Sequence, residues 1–500
     1  MAGVAAGAVI FTAGAAAAQD APIATAQAQT PAPPLDAREA KIQQLESEVQ
    51  ELAAQIGDLK AEMSSGLKDV RATQAAQTKV TIANGKPQIA SADGKFTANL
   101  HGVMQFDAAH YFQGTVPAAQ VDPHAQNLNS GTNFRRARIG IDGKAFSDFN
   151  YNVLLDFGGT NGGEDAGKVQ ELWVEYTGFH PFRVKVGAFP PLLGLEDANS
   201  TNGQPFLERP AASDATRTLA GGDRREAVQL AANGDHWLVA GSVTGNTVSS
   251  LSSVAAGFNA QNYDEQVGFT GRVAISPIHG ADYVVHLGAH GQVVTQPADA
   301  GPAAAVRYGL TLSATPELTV DGTKLVSTGA ISSTGAHEWG LEAGAQWKSF
   351  YVQGEYFNEG FDRLNPAVGV TNPHFTGWYV EGSWFLTGES RRYNPATAAW
   401  DAPGSIRHPL DPKGGGAGAF ELALRYSDLD LNYHTLSAVA GDAVRGGDQK
   451  IFAVGLNWYP NTFARFMVDY QHVKVERINS ALLEIGQAYD TIAVRSQFAF

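Results

Sequence analysis

From residue 95 to residue 500, apolar and polar positions alternate with a period of two. In the last stretch, YDTIAVRSQFAF, Ile492, Val494, Phe498 and Phe500 share one face, broken only by Ser496. Thr491, Ala493, Arg495, Gln497 and Ala499 share the other. Successive strand side chains point to opposite sides, so this reads as a strand with one oily and one wet face. The same rhythm sets Ile139 and Ile141 against Arg136 and Arg138, and Val184 and Val186 against Arg183 and Lys185. It sets Leu422 and Leu424 against Glu421 and Arg425, and Val468 and Tyr470 against Asp469 and Gln471.

Strand starts fall near residues 96, 134, 147, 169, 181, 225, 235, 266, 282, 338, 349, 377, 418, 449, 462 and 487. Sixteen is an even number, as an outer-membrane barrel with both ends on one side requires. The connections alternate in length. Short ones fall at 146–149, 178–181, 233–236, 348–349 and 460–463, and long ones at 114–132, 190–224, 245–265, 294–337 and 432–448. One connection disobeys: 387–417 sits where a short turn belongs. It either folds back into the lumen or marks a slip in the count. The fold class expected is all-β: a sixteen-stranded antiparallel transmembrane β-barrel over 95–500, with an N-terminal α-helical coiled coil. A soluble sandwich gives the same alternation. The unequal loops, the exported start and the terminal phenylalanine favour the membrane.

Residues 1–18, MAGVAAGAVIFTAGAAAA, read as a secretory signal peptide cleaved before Gln19, although no Lys or Arg precedes Arg38. Residues 19–35 are rich in Ala, Gln and Pro, as in a flexible linker. The period then changes. Ile42, Leu45, Val49, Leu52, Ile56, Leu59 and Met63 step by three and four, an a/d seam that predicts a coiled coil over 36–78. Gly66 occupies the next d position and breaks the seam. Ile and Val at a with Leu at d lean towards dimers, a lean that a trimeric barrel could override. A lone amphipathic helix is the plainer alternative.

No segment beyond the N-terminal region approaches the ~20 apolar residues of a membrane helix. The chain has no cysteine, so it carries no disulfide or thiolate metal site. Its formal charge of −15 argues against nucleic acid as a partner. Fifty-five glycines and abundant aromatics suit turns and interfacial girdles.

Alternation places Arg136, Arg138, Arg183, Lys185, Arg272, Arg425, Arg465 and Arg495 in the lumen, a basic ladder of the kind that favours anions. The same face receives Glu171, Glu175, Glu355, Glu381, Glu421 and Asp469. Arginine–carboxylate pairs that brace the wall are therefore the rival reading.

Several stretches resemble the phosphate-selective porin O and P family. They are FRRARIGIDGKAFSDFNYNVLLDFGG (134–159), FRVKVGAFPPLLGLE (182–196), FLERP (206–210), WYVEGSWFLTGESRRY (378–393), GAFELALRYSDLDL (418–431), GLNWYPN (455–461) and VRSQF (494–498). The resemblance implies a homotrimeric outer-membrane channel for small anions, surrounded by lipid and lipopolysaccharide, with a periplasmic coiled coil. It also implies a constriction at the third loop, here 190–224, with Arg209 as its basic residue. Phosphate-binding members carry lysines where this chain has Asp197 and Asn202. The flanked hydroxyls remain as Ser200 and Thr201, and another basic wall position is Asn150 here. A porin with weakened phosphate preference is the expectation.

Other chemistry has no motif: no phosphate-binding Gly-rich loop, HExxH or GxSxG occurs, so no catalytic residue, cofactor or metal is assigned. His286 and His290 share a face, but four strand residues span ~13 Å, too far for one ion. The alternatives to a porin are an envelope-tethering structural protein with a largely closed barrel and, more remotely, a barrel enzyme.

Overall fold

The computed structural model describes residues 35–83, 86–114, 127–159, 167–248, 264–280, 282–298 and 309–500. The expected signal peptide 1–18 and linker residues 19–34 lie outside the described residues. The chain divides into two compact units at Ala75/Ala76.

The first unit is helix α1, Leu35–Ala76. It begins and ends within two residues of the expected coiled coil. Gly66 interrupts the seam but not the helix, in keeping with a cost of about 1 kcal/mol for one interior glycine. The seam residues Ile42, Leu45, Val49, Leu52, Ile56, Leu59 and Met63 are all exposed.

The second unit is a closed antiparallel barrel of sixteen strands. The first eight are β1 (Thr97–Gln113), β2 (Gly131–Ala145), β3 (Phe149–Asp156), β4 (Lys168–Phe179), β5 (Phe182–Phe189), β6 (Arg225–Asn233), β7 (Trp237–Thr247) and β8 (Val267–His279). The second eight are β9 (Tyr283–Gln296), β10 (Ser333–Trp347), β11 (Phe350–Arg363), β12 (His374–Phe385), β13 (Ala419–Tyr433), β14 (Val444–Tyr459), β15 (Ala464–Glu476) and β16 (Gln487–Ala499). Each pairs with its sequence neighbours, and β16 closes on β1. Phe500 seals the seam, donating to and accepting from the Gly102 backbone at 3.1 Å each. A hairpin absent from the expectation, Lys79–Ala83 with Lys86–Ala90, adds to the start of β1.

Alternation holds along the strands except where a register shift interrupts it. Ile139, Val184, Leu424, Val468, Ile492 and Phe498 face outward and are exposed, while Arg465, Asp469, Thr491 and Arg495 are buried inside. Sheets that pack as a sandwich would bury those apolar side chains against each other; here they form the outer surface of a closed wall. This is the lipid-facing band of an outer-membrane barrel. Connection lengths alternate as expected, and the exception, 386–418, turns inward. Its two short strands, Arg392–Asn394 and Ala399–Asp401, pair with each other, and Trp400 is buried inside the barrel.

The outward orientation of Leu341, mid-strand in β10, generates a test. Leu341→Arg is expected to destabilise the barrel in lipid vesicles by about 2–4 kcal/mol, measured by denaturant unfolding.

Candidate functional site

The connection 190–224 runs through the barrel interior. Its backbone there lacks strand partners, and buried backbone groups need them. The wall supplies them. Glu355 accepts from the Leu195 and Glu196 amides at 2.6 and 3.0 Å. Asp469 accepts from Leu207 at 2.8 Å, and Gln292 from Ala220 and Gly221 at 2.7 and 3.1 Å. The short helix α2, Ala211–Thr216, packs Ala211 and Ala215 into an apolar cluster with Leu318, Phe361 and Phe375.

The expected arginine ladder serves the same loop. Arg425 donates to the Glu208 carbonyl at 2.9 Å. Arg465 donates to the Asn202 and Gln204 carbonyls at 3.2 and 2.6 Å. Arg495 donates to the Leu207 carbonyl and to both oxygens of Asp107 at 2.7 Å. Arg136 bonds Gln105 at 2.6 Å and stands 3.6 Å from Glu208. Two others hold the inturned 386–418 segment: Arg183 donates to Ala396 at 2.6 Å, and Arg272 to Thr397 and Ala398 at 2.6 and 2.9 Å. Arg138 pairs with Asp156 at 2.8 Å, and Lys185 stands 3.7 Å from Glu175 with its ammonium over Trp173. Each member of the ladder thus meets the wall or an inturned segment, while Nε of Arg136, Arg183, Arg425 and Arg465 is buried without a hydrogen-bond partner.

Between the loop and the wall of β1 to β5 lies a cavity of about 380 Å³. The expected loop residues Asp197, Ser200, Thr201, Asn202 and Arg209 all line it. Arg138, Lys185 and Arg209 face Glu171, Asp197, Asp223 and Asp401 across it. Asp197 and Asp223 are both held by Arg217, the latter at 2.7 Å. Burial pushes the Asp223 carboxyl up, but Arg217 and Arg209 outweigh it and hold it well below its ordinary value. Asn150, the expected wall position, donates to Glu175 at 3.4 Å.

Three residues escaped the sequence reading. Strict alternation turns Arg135 towards lipid. A bulge between Gln105 and Phe106 leaves it opposite no partner, so Arg135 and Arg136 both face inward. Arg135 then forms a two-point pair with Glu208 at 2.7 and 3.0 Å. The signal was present: two consecutive arginines in a lipid-bathed strand demand a bulge, because either one facing lipid is costly. Arg217 and Arg391 lie in connections, where no period assigns a direction. Arg391 joins the two intruding segments, reaching Glu421 and the Gly203 carbonyl at 2.5 Å each.

A closed wall, an interior constricted by its own loop and a charged aperture define a porin, a non-enzymatic channel of the bacterial outer membrane. The model of the family described as phosphate-selective porin O and P matches residues 111–500. The chain belongs to that family. It is 27% identical to Porin O of Pseudomonas aeruginosa over 416 residues, spanning 79% of this chain and 87% of the relative. It is 28% identical to an uncharacterized protein of Caulobacter vibrioides over 400 residues, spanning 79% of this chain and 71% of that one. Among solved structures, OmpT of Vibrio cholerae aligns with a TM-score of 0.47 and 11% identity, covering 81% of this chain and 98% of that one.

Glu208 is the loop's central anion. Burial raises its carboxyl pKa, but Arg135, Arg136 and Arg495 together hold it well below the carboxylate range. A depressed pKa contributes stability that is full above the unfolded value and is lost only as pH falls through the folded one. Glu208→Gln is expected to cost about 3–5 kcal/mol at neutral pH, seen as a lower temperature of heat-modifiable unfolding. The gap between variant and wild type should persist at about pH 4 and close only in stronger acid.

Proposed function

We propose that this protein is a passive, homotrimeric diffusion porin for small solutes of mixed charge, with little preference for phosphate. The observation that carries the reading is the cavity lining: three cationic side chains, Arg138, Lys185 and Arg209, stand against four carboxylates. Selection in a narrow lumen follows the net charge of its lining, and this lining has no surplus of cations. Arginine binds phosphate through two parallel donors, and the ladder's donors are directed at loop carbonyls and wall acids. Asp197 and Asn202 stand where the phosphate-binding members of the family carry lysines. The seam of α1 supports assembly as a coiled coil, read as lying in the periplasm and joining the subunits.

A second reading, a largely closed barrel that tethers the envelope, draws on the three connections 190–224, 309–332 and 386–418 that contribute buried residues to the interior. Single-channel recording separates the two: stepwise conductance supports the porin, and its absence from correctly folded protein supports the tether.

Reversal potentials in a potassium chloride gradient are expected to lie near zero, with phosphate leaving chloride current unblocked. Strong anion selectivity with phosphate block would overturn the proposal. Asn202→Lys adds a cation to the aperture and is expected to shift the reversal potential towards anion selectivity. Deleting 36–78 should leave conductance per channel unchanged while lowering the temperature at which the oligomer dissociates.

A further inference from the structure

Behind the 190–224 loop, on the wall of β9, β10 and β11, lies a cluster of ionisable side chains that do not line the cavity. His290 on β9, Glu342 on β10 and Glu355 on β11 each offer one ligand atom, and these atoms lie within 4.8 Å of one another. All three side chains are wholly buried. Glu342 and Glu355 are direct cross-strand partners, as are Glu338 and Glu359. Like charges placed opposite one another destabilise a sheet. Of these four carboxylates, Arg272 bonds one, Glu342, through Oε1 at 2.9 Å, and His290 stands between two others, Glu338 and Glu355. A cation held among them would offset that repulsion.

The ring of His290 shows where it belongs. Its Nε2 stands 3.4 Å from Glu355 Oε1, and neither ring nitrogen makes a hydrogen bond. That separation suits two ligands of one ion: donors about 2.0–2.1 Å from a tetrahedral zinc lie about 3.3–3.4 Å apart. The outer oxygen of Glu342, Oε2, is buried without a hydrogen-bond partner. So are both oxygens of Glu338, which stands 3.2 Å from His290 Nδ1. A carboxylate behind the far nitrogen of a ligating histidine fixes the tautomer that presents Nε2 to a metal.

Glycines make the room. A Cβ at position 340, the register partner of His290, would stand 2.5 Å from its Nε2. One at 288 would stand 2.1 Å from Glu342 Oε1, and one at 194, on the loop, 2.6 Å from Glu355 Oε1.

We infer that His290, Glu342 and Glu355 form a binding site for a divalent transition-metal ion, with Glu338 orienting the histidine. One imidazole and two carboxylates suit zinc or its neighbours better than calcium or magnesium. Glu355 also accepts the Leu195 and Glu196 amides, so the ion ties the wall to the root of the aperture loop.

The test is zinc binding to purified, folded full-length protein, by calorimetry and by metal analysis after dialysis. One zinc per chain is expected, not displaced by millimolar calcium. His290→Gln and Glu342→Gln should each weaken it by at least tenfold, while exposed His472→Gln should not. Folding of each variant is judged by heat-modifiable mobility, and should one fail, the other is read. Wild-type barrel that takes up no zinc overturns the inference, as does a folded variant that binds like wild type.

Discussion

A segment that crosses a barrel interior without regular structure carries carbonyls that no ladder receives. In this protein the inward-facing arginines answer them. Arg425, Arg465 and Arg495 project from three strands of one wall and donate to Asn202, Gln204, Leu207 and Glu208 of the loop. Each guanidinium can serve a carbonyl and a carboxylate at once, because its donors are fixed in a fork. The wall acids Glu355 and Asp469 satisfy loop amides in return. The aperture is shaped by where the loop is tied.

This division of labour explains why a barrel with a basic ladder on its inner face presents a mixed lining. Charge on the β13 to β16 side is consumed in anchoring. Charge on the β2 to β5 side reaches the cavity, but there Asp156 and Glu175 stand beside Arg138 and Lys185. The inturned 386–418 segment adds Asp401 to the rim and occupies Arg183 and Arg272. A ladder counted by sign alone overstates the cationic field that a solute meets.

The architecture was legible because lipid imposes a rule on every second residue. A strand that carries Ile492, Val494 and Phe498 outward must carry Thr491, Ala493 and Arg495 inward, and the pattern repeats sixteen times. Loop parity followed from the same count and exposed 387–417 as irregular, though not which of its two explanations held. Alternation made the wall positions legible because they sit on strands, whereas the loop positions Asp197, Ser200, Thr201, Asn202 and Arg209 came only from the family resemblance. Arg135 was lost to a bulge, since one extra residue reverses the facing that alternation predicts. Arg217 and Arg391 were lost because connections have no period.

Alternation and heptad spacing by themselves determined a sixteen-stranded wall, an N-terminal helix and the inward face of each strand wherever no bulge intervenes, because both are local rules read between near neighbours. What each inward group touches was decided only by the closed fold. Arg495 and Leu207 are 288 positions apart, and His290 meets Glu342 and Glu355 only across two strand registers. A lumen is small and low in dielectric, so partners within a few ångströms fix whether a charge is spent or available. That distance is a property of the assembled barrel and is not contained in the spacing along the chain.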